Sequence, residues 1–216
     1  NTTAGFSVVT YTGTGANATV GHGLGVAPKM IIFKGRSTTF DWMVYHTSLG
    51  NTNYLRFNQT NASAASISAF NNTSPTSTVF SLGDGSLGNQ ASATQVAYCW
   101  AEIAGFSKFG SYTGNGSTDG PFIYTGFRPK WIMVKSSSYS AADTHWHMLD
   151  TSRNTANPED KFLNANTSGA EDTYTFFDIL SNGFKLRQNG ASFNGSGTTY
   201  IYAAFAENPF KNSLAR

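Results

Sequence analysis

The chain has 216 residues, of which only 12% are charged, and a formal net charge of +2. An average globular protein is about 25% charged, so this surface is wetted by Asn, Thr, Ser and Gly, and with no basic cluster it excludes electrostatic capture of nucleic acid. A lone cysteine, Cys99, rules out an intrachain disulfide, and no apolar run approaches the roughly 18–20 residues of a membrane-spanning helix, so membrane insertion is not expected.

In chain order, residues 6–12 (FSVVTYT) are β-branched and aromatic and predict a strand. Glycines 13, 15, 21, 23 and 25 punctuate a loop region that Pro28 ends, and residues 29–34 (KMIIFK) read as a short buried strand. Residues 40–47 (FDWMVYHT) alternate, with Trp42, Val44 and His46 on one face and Asp41, Met43 and Tyr45 on the other. Strands are also predicted over 53–58, 67–70 (ISAF) and 77–83, with a polar hairpin region at 83–93. Residues 94–103 (TQVAYCWAEI) carry the strongest strand signal of the first half, and Cys99 within them reads as a small buried hydrophobe. Residues 104–111 are expected to be a short joint, whose Phe106 and Phe109 would pack the halves together.

The second half repeats this order. Tyr11, Thr12, Gly13, Gly15, Gly25, Pro28, Lys29, Ile31 and Lys34 fall on Tyr112, Thr113, Gly114, Gly116, Gly126, Pro129, Lys130, Ile132 and Lys135 at a constant offset. HWHMLDTS (145–152) matches DWMVYHTS, setting Trp146 on Trp42. FLNAN (162–166), GFKLR (183–187) and TTYIYAAFAE (198–207) match YLRFN, VFSLG and TQVAYCWAE, and Phe210-Lys211 echo Phe106 and Lys108. The best helical candidate, residues 153–163, contains Pro158 and allows one or two turns. Many short strands with glycine turns predict an all-β fold: two tandem, sequence-related β-sandwich repeats, jelly-roll-like and packed together, residues 1–105 and 106–216.

Few constellations carry chemistry. His145 and His147 are two apart in a predicted strand and could face one ion; without a nearby Cys or Glu they read as exposed strand histidines, with Trp146 turned to the core. Trp42, Trp146 and Trp131 are expected in the core, and exposed aromatics among Tyr139, Phe40 and Tyr54. Glu102 and Glu207 are repeat-equivalent, which favours structural roles, such as ion pairs with the equivalent lysines, over a glycosidase pair. Asp119, Asp143, Asp150, Glu171 and Asp172 lie in second-half loops, but no D-x-D-x-D-G calcium loop occurs. The glycine motifs precede strands rather than helices and fit no phosphate site. No catalytic set, metal or cofactor is predicted.

The blocks YTGNG…GFRPKWIMVK, PTSTVFSLG, VAYCWAEIAGFSKFGSYTGNG, DILSNGFKLR and TYIYAAFAENPFK resemble a duplicated β domain from the C-terminal part of tail-fibre-like and other virion structural proteins of marine bacteriophages, cyanophages among them. The similarity covers essentially the whole chain. It implies a virion-surface location, a non-catalytic appendage role, contacts with other virion proteins, and a homo-oligomer, a trimer foremost. The sequence begins with Asn and shows no basic-then-apolar leader, so it is expected to be a piece of a longer chain. Two functions follow as expectations: a tail-fibre or fibre-tip module binding host-surface glycan, and a purely architectural virion protein that binds no ligand. A glycan site is expected in the second-half loops, where the halves differ most and the extra charges gather. Its candidate residues are Tyr139, Asp143, His145 and His147.

Overall fold

The computed structural model describes residues 1–154 and 156–208; the Phe210-Lys211 echo lies outside them. The described residues are all-β apart from two four-residue helices. It divides into two compact units, one formed by Asn1–Asn58 and Ser63–Ile103, the other by Gln59–Ala62 and the chain from Ala104 on.

The first unit contains β1 (Phe6–Thr12), β2 (Ala18–Gly21), β3 (Met30–Gly35), β4 (Met43–His46), β5 (Asn53–Arg56), β6 (Ala64–Ala65), α1 (Ile67–Phe70), β7 (Val79–Leu82), α2 (Ser86–Asn89) and β8 (Thr94–Trp100). A six-stranded sheet runs in the order β1-β8-β3-β4-β5-β6, and β2 pairs with β7 in a two-stranded sheet. Central β3 is buried on both faces, which is why its sequence is a continuous apolar run instead of an alternating one. Its Phe33 ring meets Phe80 of β7 edge-on at 5.3 Å, so the two sheets of this unit face each other across one core.

The second unit contains β9 (Ser107–Thr113), β10 (Phe122–Tyr124), β11 (Pro129–Ser136), β12 (His147–Asp150), β13 (Glu159–Asn164), β14 (Asp172–Leu180), β15 (Gly183–Leu186) and β16 (Thr199–Ala206). Its eight strands form one sheet ordered β10-β15-β14-β13-β12-β11-β16-β9. Tyr112 of β9, at one edge, lies 6.3 Å from the ring of Phe184 in β15, next to the other edge. The sheet therefore curls, nearly closed and barrel-like, around a core fed by all eight strands. Read through the sequence match, β9, β16, β11, β12, β13, β14 stand in the order β1, β8, β3, β4, β5, β6 take in the first unit, and the pair β10-β15 corresponds to β2-β7.

The Tyr-Thr-Gly-x-Gly motif has the same job in both units. Tyr11 donates its hydroxyl to the carbonyl of Gly88 at 2.6 Å, and Tyr112 donates to that of Phe193 at 2.8 Å. The next residue in each case is a fully buried asparagine, Asn89 or Asn194. Asn89 Oδ1 accepts from the amide of Thr14, and its Nδ2 donates to the carbonyls of Ala16 and Gly83. Asn194 repeats this with the amide of Asn115 and the carbonyls of Ser117 and Gln188. Gly13 and Gly114 run so close under these turns that a Cβ would sit 2.1 Å from the Gln90 carbonyl oxygen or 2.3 Å from that of Gly195.

Several expectations need correction. Residues 67–70 form helix α1, not a strand: a four-residue apolar run carries no period of its own, and here it winds to drop Phe70 between Phe33 and Tyr45. The polar stretch 83–93 holds α2, and β2, β10 and β14 lie where no strand was expected. The described residues of 153–163 are not helical; β13 begins directly after Pro158. The joint is shorter than 104–111, because Ser107 already pairs with Phe205 in β9. Tyr54 is buried in the first core, whereas Trp42, Trp131 and Phe40 are half-buried. Trp146 is buried, as expected. Among the described residues no helix is long and apolar enough to cross a membrane.

Candidate functional site

The second unit carries a cavity of about 480 Å³ whose wall includes Asp143, His145 and His147, three of the four residues singled out in the sequence. They converge because the loop before β12 folds back on the strand's first residue. His147 Nε2 bonds the carbonyl of Asp143 at 3.2 Å. Since a carbonyl only accepts, this ring nitrogen holds the proton, leaving Nδ1 as a bare acceptor. Asp143 Oδ2 accepts from the hydroxyl of Ser192 at 2.5 Å, and His145 Nδ1 accepts from the side-chain amide of Asn166 at 2.9 Å. Tyr139, 42% exposed, does not line the cavity; its amide and carbonyl are occupied by the hydroxyl of Ser136.

His147 is not the exposed strand histidine that alternation suggests. It is 3% exposed, and its ring lies 4.2 Å from that of Phe193, 5.6 Å from Phe162 and 6.3 Å from Phe176. Trp146, on the opposite face of the strand, is buried as well, so this segment has no solvent face to spare. Burial holds the imidazole pKa down at about 3; neighbouring His145 and the more distant Lys135 add to the effect, against the opposing pull of Asn164 and the Asp143 carbonyl. The ring is therefore neutral near pH 7. Its Nδ1 and the Oδ1 of Asn164 are closed off from solvent and make no hydrogen bond of good geometry, although Asn164 lies near enough to favour the charged ring.

Sequence reasoning missed the far wall. Asp172, Thr173 and Tyr174 come from the outer end of β14, where four successive residues are exposed. Gln188, Gly190 and Phe193 come from the turn that Asn194 clamps. A signal was present in DTYTFF, where an aromatic stands among threonines before an apolar pair, but the absence of a turn marker at Asp172 concealed the strand.

The remaining candidates sort into structural roles. Cys99 is fully buried, and desolvation pushes its thiol up to about 12, so it is no nucleophile. Asp119 pairs with Lys185 at 2.7 Å, Asp150 with Arg153 at 2.8 Å, and Glu171 with Arg153 at 2.6 Å. Glu207 pairs with Arg128 at 3.0 Å, not with the repeat-equivalent lysines. Buried Lys135 instead donates to the carbonyls of Thr60 and Ser136. Among the described residues no group of three or more His, Cys, Asp or Glu side chains could hold a metal ion.

Residues 1–209 match the family described as Domain of unknown function (DUF7483), and the chain belongs to that family. No curated protein and no solved structure matches it.

Proposed function

We propose that the chain is a non-catalytic glycan-binding module of a bacteriophage virion appendage, a tail fibre or fibre tip at the particle surface, and that it binds through the second-unit cavity. One observation carries the binding reading: Asp143, His145 and Asn164 bring polar side chains to a cavity walled by Phe162, Phe176 and Phe193. A sugar offers hydroxyls for the polar side chains and an apolar ring face for the aromatics, which is the mixture that such a pocket selects. The phage assignment rests on the resemblance of the repeated YTGNG and GFRPKWIMVK blocks, and the low charge agrees with it. We read the two units as diverged copies of one β-sandwich. The shared strand order and the twin clamps at Asn89 and Asn194 support that reading.

The architectural alternative, a homo-oligomeric building block without a ligand, is favoured by a different feature. Strand β10 lies at a sheet edge and exposes Phe122 and Tyr124, two apart and hence on one face. A glycan array and a whole-cell binding assay, run beside the mass of the chain in solution, separate the two. The expected result is sugar and cell binding that drops at least about tenfold in Asp143→Ala and His145→Ala and is unchanged in Tyr139→Ala. Binding that depends on Tyr139 but not on His145 would move the site elsewhere. A stable trimer that binds neither cells nor sugars would establish the architectural reading.

A further inference from the structure

The cavity does not end at Tyr174. A second cavity of about 440 Å³ lies against it, and Thr173, Tyr174 and Gln188 line both. The far side of this second space is formed by Thr118, Thr175 and Asn189, all exposed and uncharged. Tyr174 is 56% exposed, and its ring rests 5.3 Å from that of Phe176. It therefore stands as a supported aromatic partition between two spaces, each within the roughly 300–1,000 Å³ of ordinary ligand pockets.

Resting on the glycan reading above, we infer that the ligand is a linear oligosaccharide whose successive units occupy two subsites on either side of Tyr174. The first subsite supplies the polar side chains of Asp143 and His145 and the phenylalanine wall. The second supplies hydroxyl and amide groups suited to a neighbouring unit. The charges narrow the class further. The first subsite holds Asp143 and Asp172 and neither Lys nor Arg. In the second, Arg187 is already bound to Asp178, and Asp160 adds a further carboxylate. Uronic or sialic units would meet carboxylates with no free cation in reach, so the oligosaccharide is neutral or amine-bearing.

Calorimetric titration of the whole chain tests this with glucose, mannose and N-acetylglucosamine against maltotetraose, cellotetraose, mannotetraose and chitotetraose, and with tetragalacturonate as the acidic probe. The expected result is one neutral tetramer bound on the order of a hundredfold more tightly than its monomer, because the second unit binds intramolecularly. Thr118→Ala combined with Asn189→Ala, both exposed positions, brings the tetramer down to the monomer's affinity and leaves the monomer unchanged. Tyr174→Ala weakens both. Equal affinity for monomer and tetramer, equal loss of both in the double variant, or tight binding of tetragalacturonate would overturn the two-subsite inference while leaving a sugar site standing. Failure of every sugar to bind would overturn the glycan reading and the inference together.

Discussion

Asn194 is the side chain on which the second unit's site depends most directly, although it does not line the cavity. It is fully buried, accepts from the amide of Asn115 at 2.9 Å, and donates to the carbonyls of Ser117 and Gln188 at 2.7 and 2.8 Å. Asn194→Ala strips three backbone groups of their partners. At about 1 kcal/mol for each net bond, and more for a carbonyl left dry, the loss comes to about 3–5 kcal/mol. For a unit of this size that lowers the melting temperature by about 10–30 °C. Asn194→Asp is the sharper test. It is isosteric and keeps the acceptor, but turns the donor into a second acceptor facing two carbonyl oxygens, so it should cost at least as much as alanine. Scanning calorimetry resolves which transition moves, and Asn89→Asp should act on the first unit's transition in the same way. The lining residues Gln188 and Phe193 hang from this turn, so ligand affinity should fall alongside stability in the Asn194 variants only. An Asn194→Asp protein within about 1 kcal/mol of the parent would refute the clamp, since no donor-less side chain can satisfy those carbonyls.

Three further outcomes are expected. Below about pH 6.5 the unfolded chain protonates His147 while the folded chain, with the ring held at about 3, does not, so stability falls as pH drops from 6.5 toward 3, by up to about 1.4 kcal/mol per pH unit. His147→Phe should flatten the urea midpoint over that range, and an unchanged slope would mean the ring is not held neutral. Glu159 is buried with Oε2 unpartnered, and desolvation raises its carboxyl to about 7. The folded state thus keeps a proton that the unfolded state loses above about 4.5, and this contribution is complete below 4.5 and gone once pH has risen through 7. Glu159→Gln should therefore match the parent at pH 4 and exceed it in thermal stability at pH 8. Gly13→Ala drives a Cβ to 2.1 Å from the Gln90 carbonyl oxygen and should cost about 3 kcal/mol or more. Gly23→Ala, with open space around it and only a positive φ to oppose it, should cost about 1 kcal/mol; equal losses in a denaturation series would show that sterics are not what keeps Gly13.

The all-β class and most strands were legible because their apolar runs are long enough to carry a period, as in residues 6–12 and 94–100. The sequence self-match was legible at Tyr11 and Tyr112 and at Gly13 and Gly114, which serve the same turns in both units. Short elements were not. Four residues at 67–70 carry too little pattern, and β14 begins in an exposed stretch that looks like loop. Three candidate residues of the site could be named because charge and histidine gather in one loop. The burial of His147 could not, since it depends on Phe193, 46 positions away, closing over its ring.

That closure explains why only the second unit is read as holding the site. The sequence match places Met43 where His147 stands, and the shared clamp places Gly88 where Phe193 stands. In the first unit the fully buried Met43 lies directly on Gly88: a Cβ on that glycine would meet the methionine methyl at 2.6 Å. There the long flexible methionine takes the space that a side chain on the turn would need. In the second unit two flat rings share the same space, their centroids 4.2 Å apart and their planes tilted by 35°. Both side chains belong to the wall of the cavity. Exchanging a matched Met-Gly pair for a His-Phe pair keeps the volume roughly filled and the clamp intact, while turning a sealed core position into the wall of a cavity. Neither half of the exchange works alone, since Phe on the turn would collide with Met on the strand and His opposite Gly would leave a void. On the reading that the two units are diverged copies, the two positions are therefore expected to differ together, with the cavity wall set by a change in the core.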